Sequence, residues 1–210
     1  MRAELRAGVA IYNAGEYHAA HDAWEEYWLD LEAGTDDELL LHGLIQFTAA
    51  LHHARGNNWE GLSGLVASAR EYLADLPANY RDVNVGEVRS YLDVLHADPE
   101  HVERSTPPAL THEDEALALD DLRFEAAAVA AEVFAEERAR FEEAPVERAI
   151  EYARADLEDE TDGSQFVALV MDFATGDGSR DLVYQRLGQH VDRRASEEAD
   201  VEGLFDGEYS

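Results

Sequence analysis

Apolar positions recur along this chain at three- and four-residue intervals and almost nowhere at two, the period of amphipathic helices. The pattern predicts a first short helix over 2–13, with Leu5, Val9 and Tyr12 on one side. "NAG" at 13–15 breaks it, because Asn and Gly tolerate the turn conformations of a helix exit. A second helix is predicted over 16–31. A third over 36–56 is capped by Thr35 or Asp36 and closed by "RGNN". A fourth over 58–75 stops before Pro77, and a fifth over 85–96 carries Val88, Leu92 and Leu95. Only "ALAL" at 116–119 alternates like a strand, and weakly.

Residues 98–122 hold "DPE", "TPP" and scattered charge, and read as a linker or an extended wrap. Helices return over 123–141, from Pro145 to 160, over 164–176 and over 179–195. The expected architecture is all-α: a helical bundle over 1–97, a linker over 98–122, C-terminal helices over 123–196 and a mobile acidic tail over 197–210. The apolar faces of the later helices (Phe134, Phe166, Leu169, Val170, Phe173, Leu182, Leu187) call for a partner surface, either the bundle or another copy of the chain.

Charge changes the picture next. The 210 residues include 47 acidic and 16 basic ones, for a net charge of -31, and every basic residue is Arg. Such a chain repels itself at low salt. Near molar salt the Debye length is only ~3 Å and the repulsion is screened. Acidic residues are spread through nearly the whole chain, so the charge reads as adaptation to solvent, as in salt-accumulating halophilic archaea. No basic patch is available for phosphates, which argues against nucleic acid. Cysteine is absent, which excludes disulfides, thiol nucleophiles and thiolate metal sites. No apolar run approaches the ~18 residues of a membrane helix, and the first residues lack a signal-peptide core. The expected setting is the cytoplasm, with no membrane partner.

The chemistry concentrates in "EYHAAHDAWEEYW", Glu16 to Trp28. On a helix, Tyr17, Ala20, Trp24, Tyr27, Trp28 and Leu31 form the expected core stripe. His21 lies at its edge, Glu25 one step further out, and the two are i, i+4 and can touch. His18 and Asp22 form a second such pair. The third helix has a core stripe of Leu40, Leu44, Phe47, Leu51 and Ala54. Gly43 and Ala50 flank it for close approach, and His42, Gln46 and His53 run along a polar line. Folding the two helices back on each other predicts His21 opposite Gln46 and Glu25 opposite His42.

The candidate cluster is therefore His21, Glu25, His42, Gln46 and His53, with Trp24 and Trp28 beside it. Three uses compete. A satisfied hydrogen-bond network that fixes helix register is the favoured one. A divalent metal held by His21, Glu25, His42 and His53 is the second. An acid–base pair of His21 and Glu25 lining a small-molecule pocket is the third. Neither His-Glu-x-x-His nor Glu-x-x-His occurs in the chain, which argues against a zincin helix and a di-iron bundle. "GDGS" at 176–179 reads as a turn, and "DLEDETDG" at 156–163 as a solvated loop rather than a calcium site.

Two segments resemble the domain-of-unknown-function family numbered 309. In the first, Asn13, Gly15, Tyr17, His21, Asp22, Glu25 and Trp28 match its pattern. In the second, Gly43, Leu44, Ile45, Gln46, His53, Asn58 and Gly61 do. The resemblance covers residues 5–76. It departs at Ala19 and Asp22, where the family often carries Glu. It implies a small all-helical bundle and brings no reaction with it. The expected function is a non-enzymatic structural or interaction module. The alternative is a metal- or small-molecule-binding protein built on the His/Glu cluster.

Overall fold

The computed structural model describes residues 1–161, 163–176 and 179–206. Ten α-helices occupy them: α1 (Arg2–Asn13), α2 (Tyr17–Leu29), α3 (Asp36–Arg55), α4 (Trp59–Leu73), α5 (Val85–Ala97), α6 (His101–Arg104), α7 (Phe124–Glu136), α8 (Glu143–Glu158), α9 (Gln165–Thr175) and α10 (Arg180–Asp206). The protein is all-α, and among the described residues no strand forms. In "ALAL" Ala118 is extended and Leu119 already begins a 3-10 turn, Leu119–Asp121. No helix of the described residues is long and apolar enough to cross a membrane.

The chain divides into two compact units, Met1–Ala130 and Ala131–Ser210. In the first, α1 to α5 pack each against the next. The α3 stripe of Leu40, Leu44, Phe47, Leu51 and Ala54 is buried as expected. Thr35 caps α3 by accepting from Glu38 N (3.3 Å), and Asn58 caps α4 by accepting from Gly61 N (3.0 Å). A Cβ on Gly43 would lie 2.4 Å from Leu73 Cδ2, so this glycine sets the close approach of α3 and α4. Arg89 Nη1 closes the exposed end of α4 by donating to Leu73, Ala74 and Leu76 carbonyls (3.2, 2.9 and 2.6 Å).

Residues 98–122, expected as a linker or wrap, belong to this first unit, and 108–117 are strapped onto it. Asn13 Nδ2 donates to Leu110 O (2.9 Å) and Leu117 O (3.0 Å), and its Oδ1 accepts from Leu110 N (3.0 Å). Tyr12 Oη donates to Pro108 O (2.9 Å). Bridges Tyr80–Val83, Val83–His112 and His112–Glu115 clasp two tight turns together. The turns need left-handed backbone at Arg81, Asp82, Glu113 and Asp114. Arg2 and Arg6 of α1 reach across to Glu113 (2.5 and 3.1 Å).

In the second unit, α8, α9 and α10 pack on one another around Ile150, Val170, Phe173 and Leu187. Asp156 ties them by accepting from Ser164 Oγ (2.7 Å) and Arg194 Nη1 (2.6 Å). Leu182, expected on the apolar face, is 50% exposed instead. The predicted 123–141 helix stops at Glu136, and α10 runs on to Asp206 through most of the stretch expected as a mobile tail. The last four tail residues, and parts of "GDGS" and "DLEDETDG", lie outside the described residues.

Candidate functional site

The buried face of α2 is not the aromatic stripe that its spacing suggested. Ala19, Ala20, Ala23 and Trp24 are buried, while Tyr17, Tyr27, Trp28 and Leu31 are half-buried. Three alanines let α2 lie close to its neighbours. Ala19 sits in that apolar face. Trp24 is 0% exposed against Gly8 of α1, where a Cβ would stand 2.1 Å from the indole. Among the described residues its Nε1 finds no hydrogen-bond partner. Trp24 is thus core, not a ligand-stacking surface.

The rotation of α2 moves the cross-helix pairing. Trp28, not Glu25, meets His42, with ring centroids 4.5 Å apart. His18 meets His52 at 5.1 Å. The pairing is offset by three residues, nearly one helical turn, from the expected one. The single expected cluster accordingly separates into distinct groups.

The most enclosed group was not anticipated. Glu38, 9% exposed, accepts from Trp28 Nε1 at Oε1 (2.9 Å) and from Gly34 N at Oε2 (3.1 Å). His42 Nδ1 lies 3.0 Å from Glu38 Oε1 and so carries the proton of that bond. The His42 ring stacks on Tyr72 of α4 at 3.7 Å. This knot joins α2, the loop after it, α3 and α4. Burial alone would push the Glu38 pKa up. The bonds from Trp28, Gly34 and His42 outweigh it and hold the carboxyl below the usual range. Thr35-x-x-Glu38, a capping-box spacing, and the i, i+4 pair Glu38–His42 were visible in the sequence and could have drawn attention to Glu38.

The second group lines the α2 rim. His21 Nε2 lies 3.6 Å from Glu25 Oε1, the expected pair, and His18 Nδ1 lies 3.1 Å from Asp22 Oδ2. One ligand atom each from His21, Asp22 and Glu25 lie within 4.8 Å of one another. His52 stands close by, and burial with its neighbours His18 and His53 keeps its pKa below the usual histidine range.

His53 turns elsewhere. Asn58 Nδ2 donates to its Nδ1 (2.7 Å), and Gly61 leaves the room, since a Cβ there would sit 2.3 Å from that nitrogen. Gln46 is half-buried and makes no side-chain hydrogen bond among the described residues. The expected contacts His21–Gln46 and Glu25–His42 do not form. The three-residue offset is the reason.

With this geometry in place, the relatives can be set beside it. Residues 5–65 match the family described as "Domain of unknown function (DUF309)". The match spans the α2 rim, the Trp28, Gly34, Glu38 and His42 members of the knot and the His53–Asn58 cap, and stops short of Tyr72. An uncharacterized protein of Aquifex aeolicus (strain VF5) is 33% identical over 89 residues, which are 42% of this chain. The match covers 26% of that protein, so this chain spans about a quarter of the relative's length.

Proposed function

We propose that this chain is a non-enzymatic helical module, and that its signature residues hold helices in register rather than carry out a reaction. What supports this reading is the Glu38 carboxylate, bonded by Trp28, Gly34 and His42 at once. His53 likewise serves the α4 cap, and Trp24 the core. Equilibrium unfolding tests the reading. Glu38→Gln and His42→Ala should each lower stability, as breaking a buried network does. A His42→Ala chain as stable as the parent would count against it.

A second reading, divalent-metal binding, has its own support in the His21, Asp22 and Glu25 atoms lying within 4.8 Å of one another. Imidazole plus carboxylate suits zinc, nickel or iron. His42 and His53, the other metal candidates, are turned to Glu38 and Asn58, so this reading rests on α2 alone. Protein purified in molar salt without chelator should carry about one metal per chain, lost in His21→Ala. A metal-free chain would remove this reading and leave the first intact.

The surface completes the proposal. With 47 acidic against 16 basic residues, the module is read as working in the salt-rich cytoplasm of a halophilic archaeon. Its melting temperature should climb steeply from about 0.1 M to about 1 M KCl, as the Debye length shrinks. An unchanged melting temperature would contradict this. Self-association belongs to the same proposal, and a monomeric mass by light scattering in high salt would remove it.

A further inference from the structure

The seam between α2 and α3 carries a second ring contact besides Trp28–His42. Ten residues back along α2 and ten on along α3, the same antiparallel register sets His18 against His52, with ring centroids 5.1 Å apart. The buried alanines of α2 bring the two helices close enough for this. Neither histidine belongs to the core. The His18 side chain is 58% exposed, and His52 is exposed as well.

Asp22 makes the pair a group of three. Its Oδ2 lies 3.1 Å from His18 Nδ1, one turn along α2, and it is within electrostatic reach of His52. Two nitrogen or oxygen ligands on one zinc stand about 3.4 Å apart, so His18 and Asp22 already have ligand spacing. Other histidines of α3 have a nitrogen engaged, His42 Nδ1 with Glu38 and His53 Nδ1 with Asn58. The His52 ring contacts the His18 and His53 rings, and among the described residues its nitrogens make no hydrogen bond.

We propose that His18 and Asp22 of α2 and His52 of α3 hold a divalent transition metal, zinc or nickel, across the seam, with water in the remaining position. Two imidazoles and one carboxylate suit these metals, whereas magnesium prefers oxygen ligands throughout. Because His52 is exposed, turning its ring from the edge of His18 onto the metal displaces nothing buried. The bound metal ties α2 to α3 at the end of the seam opposite the Glu38 knot. This site shares only Asp22 with the His21–Glu25 reading and does not rest on it.

The probe is zinc chloride, with magnesium chloride as the control. Each is titrated into the full chain in molar KCl, where diffuse attraction of cations to the acidic surface is screened, and followed by NMR shifts of the histidine ring nitrogens. Zinc should move the His18 and His52 nitrogens, saturating with a midpoint on the order of micromolar, and magnesium should move neither. His52→Ala removes an exposed side chain and leaves the core intact. It should weaken zinc binding about tenfold or more, while His21→Ala should leave the midpoint within about twofold. Binding that survives His52→Ala and is lost in His21→Ala would overturn the proposal and leave the site on α2 alone standing. Binding unchanged in both variants, or shifts that never saturate, would also overturn it. A chain that takes up no zinc would remove both sites.

Discussion

The Trp28 indole N–H and the Glu38 carboxylate, ten residues apart and on different helices, meet at 2.9 Å. The bond brings the end of α2 onto the start of α3 and, through His42, onto Tyr72 of α4. It also sets a pH dependence. The folded Glu38 pKa lies below its unfolded value of about 4.3, so its contribution is full above that pH. It is lost as pH falls through the lower folded value. Melting temperature followed from pH 6 down to about 3 should fall at the acid end, and the fall should be shallower in Glu38→Gln. Parallel curves for the two chains would show that Glu38 is not a linked group.

His112 should act in a higher pH window. It is 3% exposed in the strap, with Arg6 Nη1 3.4 Å from its Nδ1. Burial lowers its pKa, Glu113 works the other way, and Arg6 and Arg2 add to the lowering. A histidine held neutral in the fold takes up its proton more readily when unfolded. Its contribution is therefore full above about 6.5, the unfolded value, and declines as pH falls towards the folded value. His112→Asn should flatten the stability profile below pH 6.5, and an unchanged slope would count against the clasp.

Two glycine substitutions should move stability in opposite directions. Gly8→Ala drives a Cβ to 2.1 Å from the buried Trp24 ring and should cost about 1–3 kcal/mol or more, as overpacking does. Gly64 lies inside α4 with nothing within 4 Å of an added Cβ. Gly64→Ala should stabilise by up to about 1 kcal/mol, the helix-propensity gain. Urea unfolding in molar salt reads both.

Asn13→Ala removes all three side-chain bonds that clip the strap at Leu110 and Leu117. At roughly 1 kcal/mol per net hydrogen bond, the loss should be about 2–3 kcal/mol. Amide exchange should quicken first at Leu110 and His112. Unchanged exchange there would mean that the strap is held by other contacts.

The third helix was easy to read because large apolar residues recur along it at helical spacing. The second was misread for a physical reason: close packing buries its small residues. Ala19 and Ala23 carry little weight in a pattern, while Tyr27 and Trp28 dominate one and lie at the rim. That rotation displaced the expected pairing by three residues and hid Glu38. The strap was beyond local pattern altogether, since Asn13 and Leu110 are 97 positions apart. The last helix, α10, continues through 197–206, and the i, i+4 pair Arg194–Glu198 (3.4 Å) supports helix where it enters that stretch. His21–Glu25 was legible because the pair lies within one helix.

The most direct test of the architectural reading is a double-mutant cycle between Trp28 and Glu38 in molar salt, using Trp28→Phe, Glu38→Gln and the pair. If the two residues act as one structural bond, the double variant loses less than the sum of the singles, with a coupling of about 1 kcal/mol or more. Additive losses, with a coupling near zero, would contradict the claim that this bond holds the helices in register.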